Sequence, residues 1–187
     1  MVLQSDIEKI RVTLDELDRD SFEMAVDAIS SAKKIYIIGV RSSAAIATFL
    51  HFYFNLIFEN VSLVLASSTS EVFESLLHVG QGDVVIGISF PRYSSQAVQA
   101  IRFARDRGAT TVAITDSEAS PLAPISHYTL KARSDMVSFV DSLVAPLSLV
   151  NALLVAVSQR KNDDLGGTFR TLEEIWDEYN VYEKVQE

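Results

Sequence analysis

The chain has 187 residues and a formal net charge of −9 at pH 7, and 48% of its residues are hydrophobic. This composition excludes a disordered chain and supplies enough apolar residues for the core of one domain. The excess of acid argues against binding of nucleic acid phosphates by this chain, and the absence of cysteine excludes disulfides and thiolate metal sites. We expect a cytoplasmic protein.

Two amphipathic helices are predicted before the first strand, at 3–18 and 21–32. In the first, apolar residues recur at helical spacing and leave a stripe that needs a partner surface. In the second, Phe22, Val26 and Ile29 are expected to point inward. We interpret residues 1–32 as linking helices that pack on a domain formed by residues 33–187.

Apolar runs and helical patterns alternate through most of that domain. Predicted strands lie at 35–39, 61–65, 84–88, 110–115 and 127–131, and predicted helices at 44–58, 71–78, 94–107, 138–160 and 168–183. We expect Pro146 to kink or split the helix over 138–160, and Asn162–Gly167 to form a linker. The alternation predicts an α/β fold: a three-layer α/β/α sandwich around a five-stranded parallel, doubly wound sheet of the flavodoxin or Rossmann type.

Two segments are apolar enough to suggest membrane-spanning helices, but neither has the features of one. The predicted helix over 44–58 is shorter than the ~20 residues that a bilayer span requires, and the stretch over 137–157 is interrupted by Asp141, Pro146 and Asn151. Both are predicted to be buried helices. Because the helix over 44–58 is apolar almost all round, its far face is expected to meet a second subunit in a homodimer or higher oligomer.

Hydroxyl-rich loops follow the first and third predicted strands. Parallel strands end at the same edge of a sheet, so these loops are expected to meet where such folds bind ligands. Short hydroxyl donors, backbone N–H groups and guanidinium groups suit a phosphate or a carboxylate. The alternative is that the serines only cap helices. The predicted binding residues are Arg41, Ser42, Ser43, Ser89, Arg92 and Ser94.

Few residues are candidates for acid–base chemistry. Glu71 is the weak candidate for a catalytic base, although an acid at the start of a helix also complements the helix dipole. The three histidines are weaker still, and Asp116 is expected to form a turn rather than to contact a sugar hydroxyl. No cluster of histidines and acids has metal-ligand spacing, so neither a metal nor a cofactor is expected.

Three motifs resemble the sugar isomerase (SIS) domain, most closely the effector domain of RpiR-family transcription regulators. They are GVRSS after the first strand, GDVVIGISFPRYS at the third and TDSEASPLA after the fourth. The resemblance implies a dimeric sandwich that binds a phosphorylated sugar, with the phosphate held by the first and third loops. In full-length RpiR-like regulators a helix-turn-helix domain precedes this one. We expect the chain to be a trimmed fragment that meets DNA only through that missing domain.

The chain departs from the family pattern in both loops. Arg41 replaces the second glycine of Gly-x-Gly-x-Ser, and Pro91 and Arg92 replace the second serine and the glycine of Ser-x-Ser-Gly-x-Thr. These changes favour a domain that senses a phosphosugar over an enzyme. The alternative is a phosphosugar aldose–ketose isomerase similar to 6-phospho-3-hexuloisomerase. A third interpretation is a decayed pocket in a domain that only dimerises.

Overall fold

A five-stranded, all-parallel sheet forms the centre of the computed structural model, which describes residues 1–65, 68–136 and 139–182 and, within these, every side chain except those of 162–165. The strands are β1 (Ile35–Gly39), β2 (Val61–Val64), β3 (Val84–Ile88), β4 (Thr110–Thr115) and β5 (Tyr128–Lys131). Their order is β2-β1-β3-β4-β5. The predicted doubly wound α/β sandwich is confirmed.

Helices cover both faces of the sheet. They are α1 (Val2–Asp15), α2 (Arg19–Ser30), α3 (Ser43–Ile57), α4 (Thr69–Ser75), α5 (Ser95–Asp106), α6 (Val144–Arg160) and α7 (Asn162–Glu178). Alternate strand residues point to opposite faces, so β1 supplies Ile35 and Ile37 to a core shared with α2, α3 and α6. Tyr36 and Ile38 enter a second core with α4 and α5. This two-sided burial explains why β1 and β3 are apolar throughout.

The carboxyl-terminal helices differ from the prediction. Helix α6 begins at Val144 rather than at Ser138, which lies outside the described residues. Pro146 lies in its first turn, where no intrahelical N–H donor is needed, so α6 runs without a break and the expected kink is wrong. The expected linker over Asn162–Gly167 is also wrong, because α7 begins at Asn162. A glycine inside a helix costs only about 1 kcal/mol, which the rest of the helical pattern outweighs.

Helix α1 packs against α6 with an unexpected face. It buries Lys9 and Thr13, whereas Leu3, Ile7 and Leu14 are 77%, 67% and 65% exposed. The apolar stripe that the sequence predicts is therefore present but has no partner in the described chain. By contrast, α2 contributes four apolar residues to the core. The boundary at residues 32 and 33 stays a prediction.

Helix α7 also exposes apolar side chains. Phe169, Ile175 and Tyr179 face solvent, and the described contacts of α7 are mainly with the preceding helix α6. The predicted end at residue 183 lies outside the described residues. Among those that are described, no helix combines the length and the apolar character needed to cross a membrane.

Candidate anion-binding site

The loops after β1 and β3 emerge side by side. The two strands are paired in parallel, with Gly39 opposite Ile88, so both chains leave the sheet at the same edge. A Cβ atom at Gly39 would lie 2.5 Å from the carbonyl oxygen of Ser43. Only glycine allows this approach, which brings the start of α3 to the end of β1.

A cavity of about 200 Å³ lies between these two loops. All six residues predicted to bind an anion line it: Arg41, Ser42, Ser43, Ser89, Arg92 and Ser94. Val40, Phe90, Pro91 and Asp141 complete the lining. The structure therefore brings the two loops together around one cavity, and the binding of an anion there stays a prediction.

Both arginines of the cavity have left-handed backbones, with φ of 58° at Arg41 and 63° at Arg92. These are the positions where the resemblance leads us to expect glycine, the residue that adopts this conformation without strain. The loops thus keep a glycine-type path while presenting cations. Both side chains belong to exposed residues, and no carboxylate among the described residues pairs with either guanidinium group. Their charges are available to a ligand.

The serines of the β3 loop organise the backbone. Buried Ser89 accepts a hydrogen bond through Oγ from the backbone N–H of Ser94, at 2.9 Å. The Oγ atom of Ser94 accepts from the N–H of Ala97 at 3.4 Å and so caps α5. The alternative that these serines cap helices therefore holds for Ser94. It does not describe Ser89, which ties the start of the loop to its end.

Ser42 makes a different contact. Its hydroxyl does not cap α3 but donates to Oδ2 of Asp141 at 2.8 Å. Asp141 lies just before α6, 99 residues further along the chain. Sequence reasoning missed this residue as part of the site, because nothing local to it indicates proximity to Ser42. Ser43 begins α3 and is buried.

The β3 loop is braced against the end of β4. The hydroxyl of Tyr93 donates to Oδ1 of Asp116 at 2.8 Å, and that of Thr115 donates to the carbonyl oxygen of Ser89 at 2.7 Å. Burial, followed by the bond to the Asp116 carboxylate, raises the pKa of Tyr93 above its usual 10.0. Asp116 thus fixes the loop that carries Arg92.

The candidate bases lie elsewhere. Glu71 is in the first turn of α4, where its backbone N–H donates to Oγ of Ser68 at 3.4 Å, and it is not among the described residues that line the cavity. The three histidines do not line it either. His127 accepts through Nδ1 from the N–H of Thr111 at 3.0 Å, and burial lowers its pKa below 6.5.

In a doubly wound domain the ligand site lies at the carboxyl ends of the strands, and that is where this cavity with its two arginines and its serine hydroxyls lies. The family model of the SIS domain matches residues 28–156. The chain belongs to the SIS domain family.

Several proteins that are similar to this chain are transcriptional regulators. The sugar isomerase domain of an RpiR transcription factor from Sphaerobacter thermophilus is 30% identical, with a TM-score of 0.87 over 92% of this chain and 96% of that one. The HTH-type transcriptional regulator HexR of Escherichia coli is 31% identical over 174 residues, which are 87% of this chain and 57% of HexR. The chain spans about half the length of the curated relatives it matches.

The same fold occurs in a solved structure that contains a ligand. The NanR protein of Vibrio vulnificus complexed with ManNAc-6P superposes with a TM-score of 0.82 over 95% of this chain and 67% of NanR. At 22% identity this match supports the architecture of the domain.

Proposed function

We propose that the chain is the phosphosugar-sensing, dimerising effector domain of an RpiR-type bacterial transcriptional regulator. DNA binding would belong to a helix-turn-helix domain outside these 187 residues, and the protein would act in the cytoplasm. The observation that carries the proposal is the convergence on one cavity of two hydroxyl-bearing loops and of two arginines that no described carboxylate pairs with. Regulator relatives and the ManNAc-6P complex of NanR support it.

The cavity has the chemistry that a phosphate ester requires. The Ser42 hydroxyl can donate to a phosphate oxygen, and the guanidinium groups of Arg41 and Arg92 supply charge-assisted hydrogen bonds. The chain as a whole is acidic, with a net charge of −9. A local cationic site in such a protein favours a small anion over an extended polyanion.

The isomerase alternative needs a base beside the sugar. Neither glutamate nor histidine is present among the described lining residues, and Asp141 is their one carboxylate. This composition favours a sensor. An aldose–ketose phosphate isomerase assay decides between the two functions: we expect no turnover, whereas turnover that is lost in Glu71→Gln or Asp141→Asn would establish the enzyme.

An apolar groove supports a homodimer. About 360 Å³ of space lies beside α3 and α6, lined mostly by apolar side chains that include Tyr53, Val155 and Phe169. Phe52 on the same helix α3 is 59% exposed. Large apolar residues clustered in this way mark a protein interface, and the apolar α3 is the element that we expect at its centre.

Ligand binding is tested by thermal unfolding and calorimetry with a panel of hexose and pentose phosphates and the corresponding free sugars. A phosphosugar that binds the folded state raises Tm, and the free sugar does not. Ser42→Ala and Ser89→Ala should each weaken binding by about 1–3 kcal/mol, the value of a hydrogen bond to a charged group. Ser31→Ala, at the end of α2, is the matched control. Failure of every phosphosugar to raise Tm would support the decayed pocket instead.

A further inference from the structure

One carboxylate lies in a cavity that is otherwise suited to anions. Asp141 accepts the Ser42 hydroxyl through Oδ2 at 2.8 Å, and the same hydroxyl is the donor that a phosphate oxygen would need. A serine has a single O–H proton, so it cannot donate to the carboxylate and to a ligand at once. The Asp141 carboxylate and a phosphate in the same cavity would also repel each other. Anion binding at Ser42 and the Asp141 contact therefore exclude each other.

We propose that Asp141 is an internal competitor of the ligand: it occupies the place of the ligand's anionic group in the free protein and is displaced when the ligand binds. The inference deepens the proposed function, on which it rests. It makes Asp141 a determinant of affinity at the site. Removal of its carboxylate frees Ser42 and removes a negative charge from the cavity that Arg41 and Arg92 line.

The displacement has a second consequence, because the segment that carries Asp141 also holds α1. The neighbouring Ser142 donates through Oγ to Oδ1 of Asp6 at 2.7 Å. The backbone N–H of Arg133 donates to Oγ1 of Thr13 at 2.9 Å. Between described residues, the hydrogen bonds that α1 side chains make to the rest of the domain join Thr13 to Arg133 and Asp6 to Ser142.

Helix α1 buries little apolar area where it packs against α6. Leu3, Ile7 and Leu14 face solvent, whereas the inward face buries Lys9 and Thr13 and leaves a cavity of about 330 Å³ next to Arg133. Little apolar area is lost if these polar bonds open, so α1 can be released at low cost. When Asp141 moves, Ser142 moves with it and the bond to Asp6 is strained. Ligand binding thus loosens α1, and by reciprocity release of α1 strengthens ligand binding.

The affinity step is tested with inorganic phosphate as the probe, by calorimetry on the wild-type chain, Asp141→Ala and Asp141→Asn. We expect Asp141→Ala to bind phosphate about tenfold more tightly than the wild type, within the usual range of such couplings. Asp106→Asn changes the net charge by the same one unit at the far end of α5 and should leave affinity unchanged. Asp141→Asn keeps an acceptor for Ser42, so its affinity for phosphate should lie between those of the wild type and of Asp141→Ala.

The outcomes separate this inference from the proposed function. Equal or weaker phosphate binding by Asp141→Ala overturns the competitor role, even if the wild type binds a phosphosugar and the sensor function stands. Absence of binding by the wild type and by every variant, for phosphate and for the phosphosugar panel alike, overturns both.

The coupling step is tested by hydrogen exchange of the α1 amides. Phosphate should speed exchange in α1 of the wild type, and Asp141→Ala and Ser142→Ala should show faster exchange without phosphate. The α5 amides serve as the internal reference, because they report loss of global stability. Unchanged α1 exchange in both variants, with α5 protected as in the wild type, would reject the link between the cavity and α1.

Discussion

Arg41 and Arg92 adopt the same left-handed backbone conformation at the ends of two neighbouring parallel strands, with φ of 58° and 63°. For a residue with a Cβ atom this conformation costs about 1–2 kcal/mol. Strained residues cluster at functional sites, so two of them bordering one cavity support the role that we propose for it. The pair adds two guanidinium groups at positions where the resemblance leads us to expect glycine, in a backbone conformation that glycine adopts readily.

The left-handed backbone at Arg41 predicts that glycine at this position gives a more stable protein than alanine. Arg41→Gly should be more stable to urea than Arg41→Ala by about 1 kcal/mol, since alanine retains the Cβ penalty and glycine does not. Arg102, exposed within α5, is the control. Because alanine favours a helix over glycine, Arg102→Ala should be more stable than Arg102→Gly by about 1 kcal/mol. Alanine above glycine at both positions would contradict the left-handed geometry. Both Arg41 variants should lose affinity for phosphosugars.

The substitutions Ser42→Ala and Ser89→Ala are expected to change the stability of the protein by different amounts, although we expect both serines to contact the ligand. In Ser89→Ala the partly buried N–H of Ser94 loses its acceptor, which should lower the free energy of unfolding by about 1–3 kcal/mol. The Ser42 hydroxyl bonds to Asp141 at an exposed position, so Ser42→Ala should change stability by less than about 0.5 kcal/mol. Urea unfolding of the two variants measures the difference. Equal losses would mean that Ser89 does not organise the loop.

The sequence alone predicts the parts of the candidate site that directly follow buried strands. Apolar runs such as Val84–Ile88 predict parallel strands, and polar residues directly after them must lie at the ligand-binding edge. Asp141 could not be predicted, because its position depends on the packing of α6 and on a contact across 99 residues. Periodicity likewise reveals the apolar stripe of α1 but not which face docks, and here the face with Lys9 and Thr13 is buried.

The dimer interface is predicted to centre on α3. Phe52→Glu places a charge in the exposed apolar face of α3 and should convert a dimer to a monomer in sedimentation velocity experiments. Leu77→Glu is the control, since Leu77 is 55% exposed but follows α4 on the opposite layer of the sandwich. A monomeric wild-type chain, or a Phe52→Glu variant that remains dimeric, would place the interface elsewhere.

His127 should make stability depend on pH. Its Nδ1 atom accepts from the backbone N–H of Thr111, a bond that protonation of Nδ1 abolishes, and burial followed by the charge of Arg105 lowers its pKa below 6.5. The unfolded chain then binds a proton more readily than the folded one. The contribution of His127 to stability is therefore complete above pH 6.5 and is lost as the pH falls through the lowered pKa.

Thermal unfolding between pH 5 and 7.5 measures this loss, which should be modest because the residue is partly exposed to solvent. In His127→Asn the side-chain amide oxygen can accept the same Thr111 N–H without titrating. We expect the variant to match the wild type at pH 7.5 and to lose less stability at pH 5.5. A variant whose Tm falls as steeply as that of the wild type would show that the bond from Thr111 to His127 is not the group that titrates.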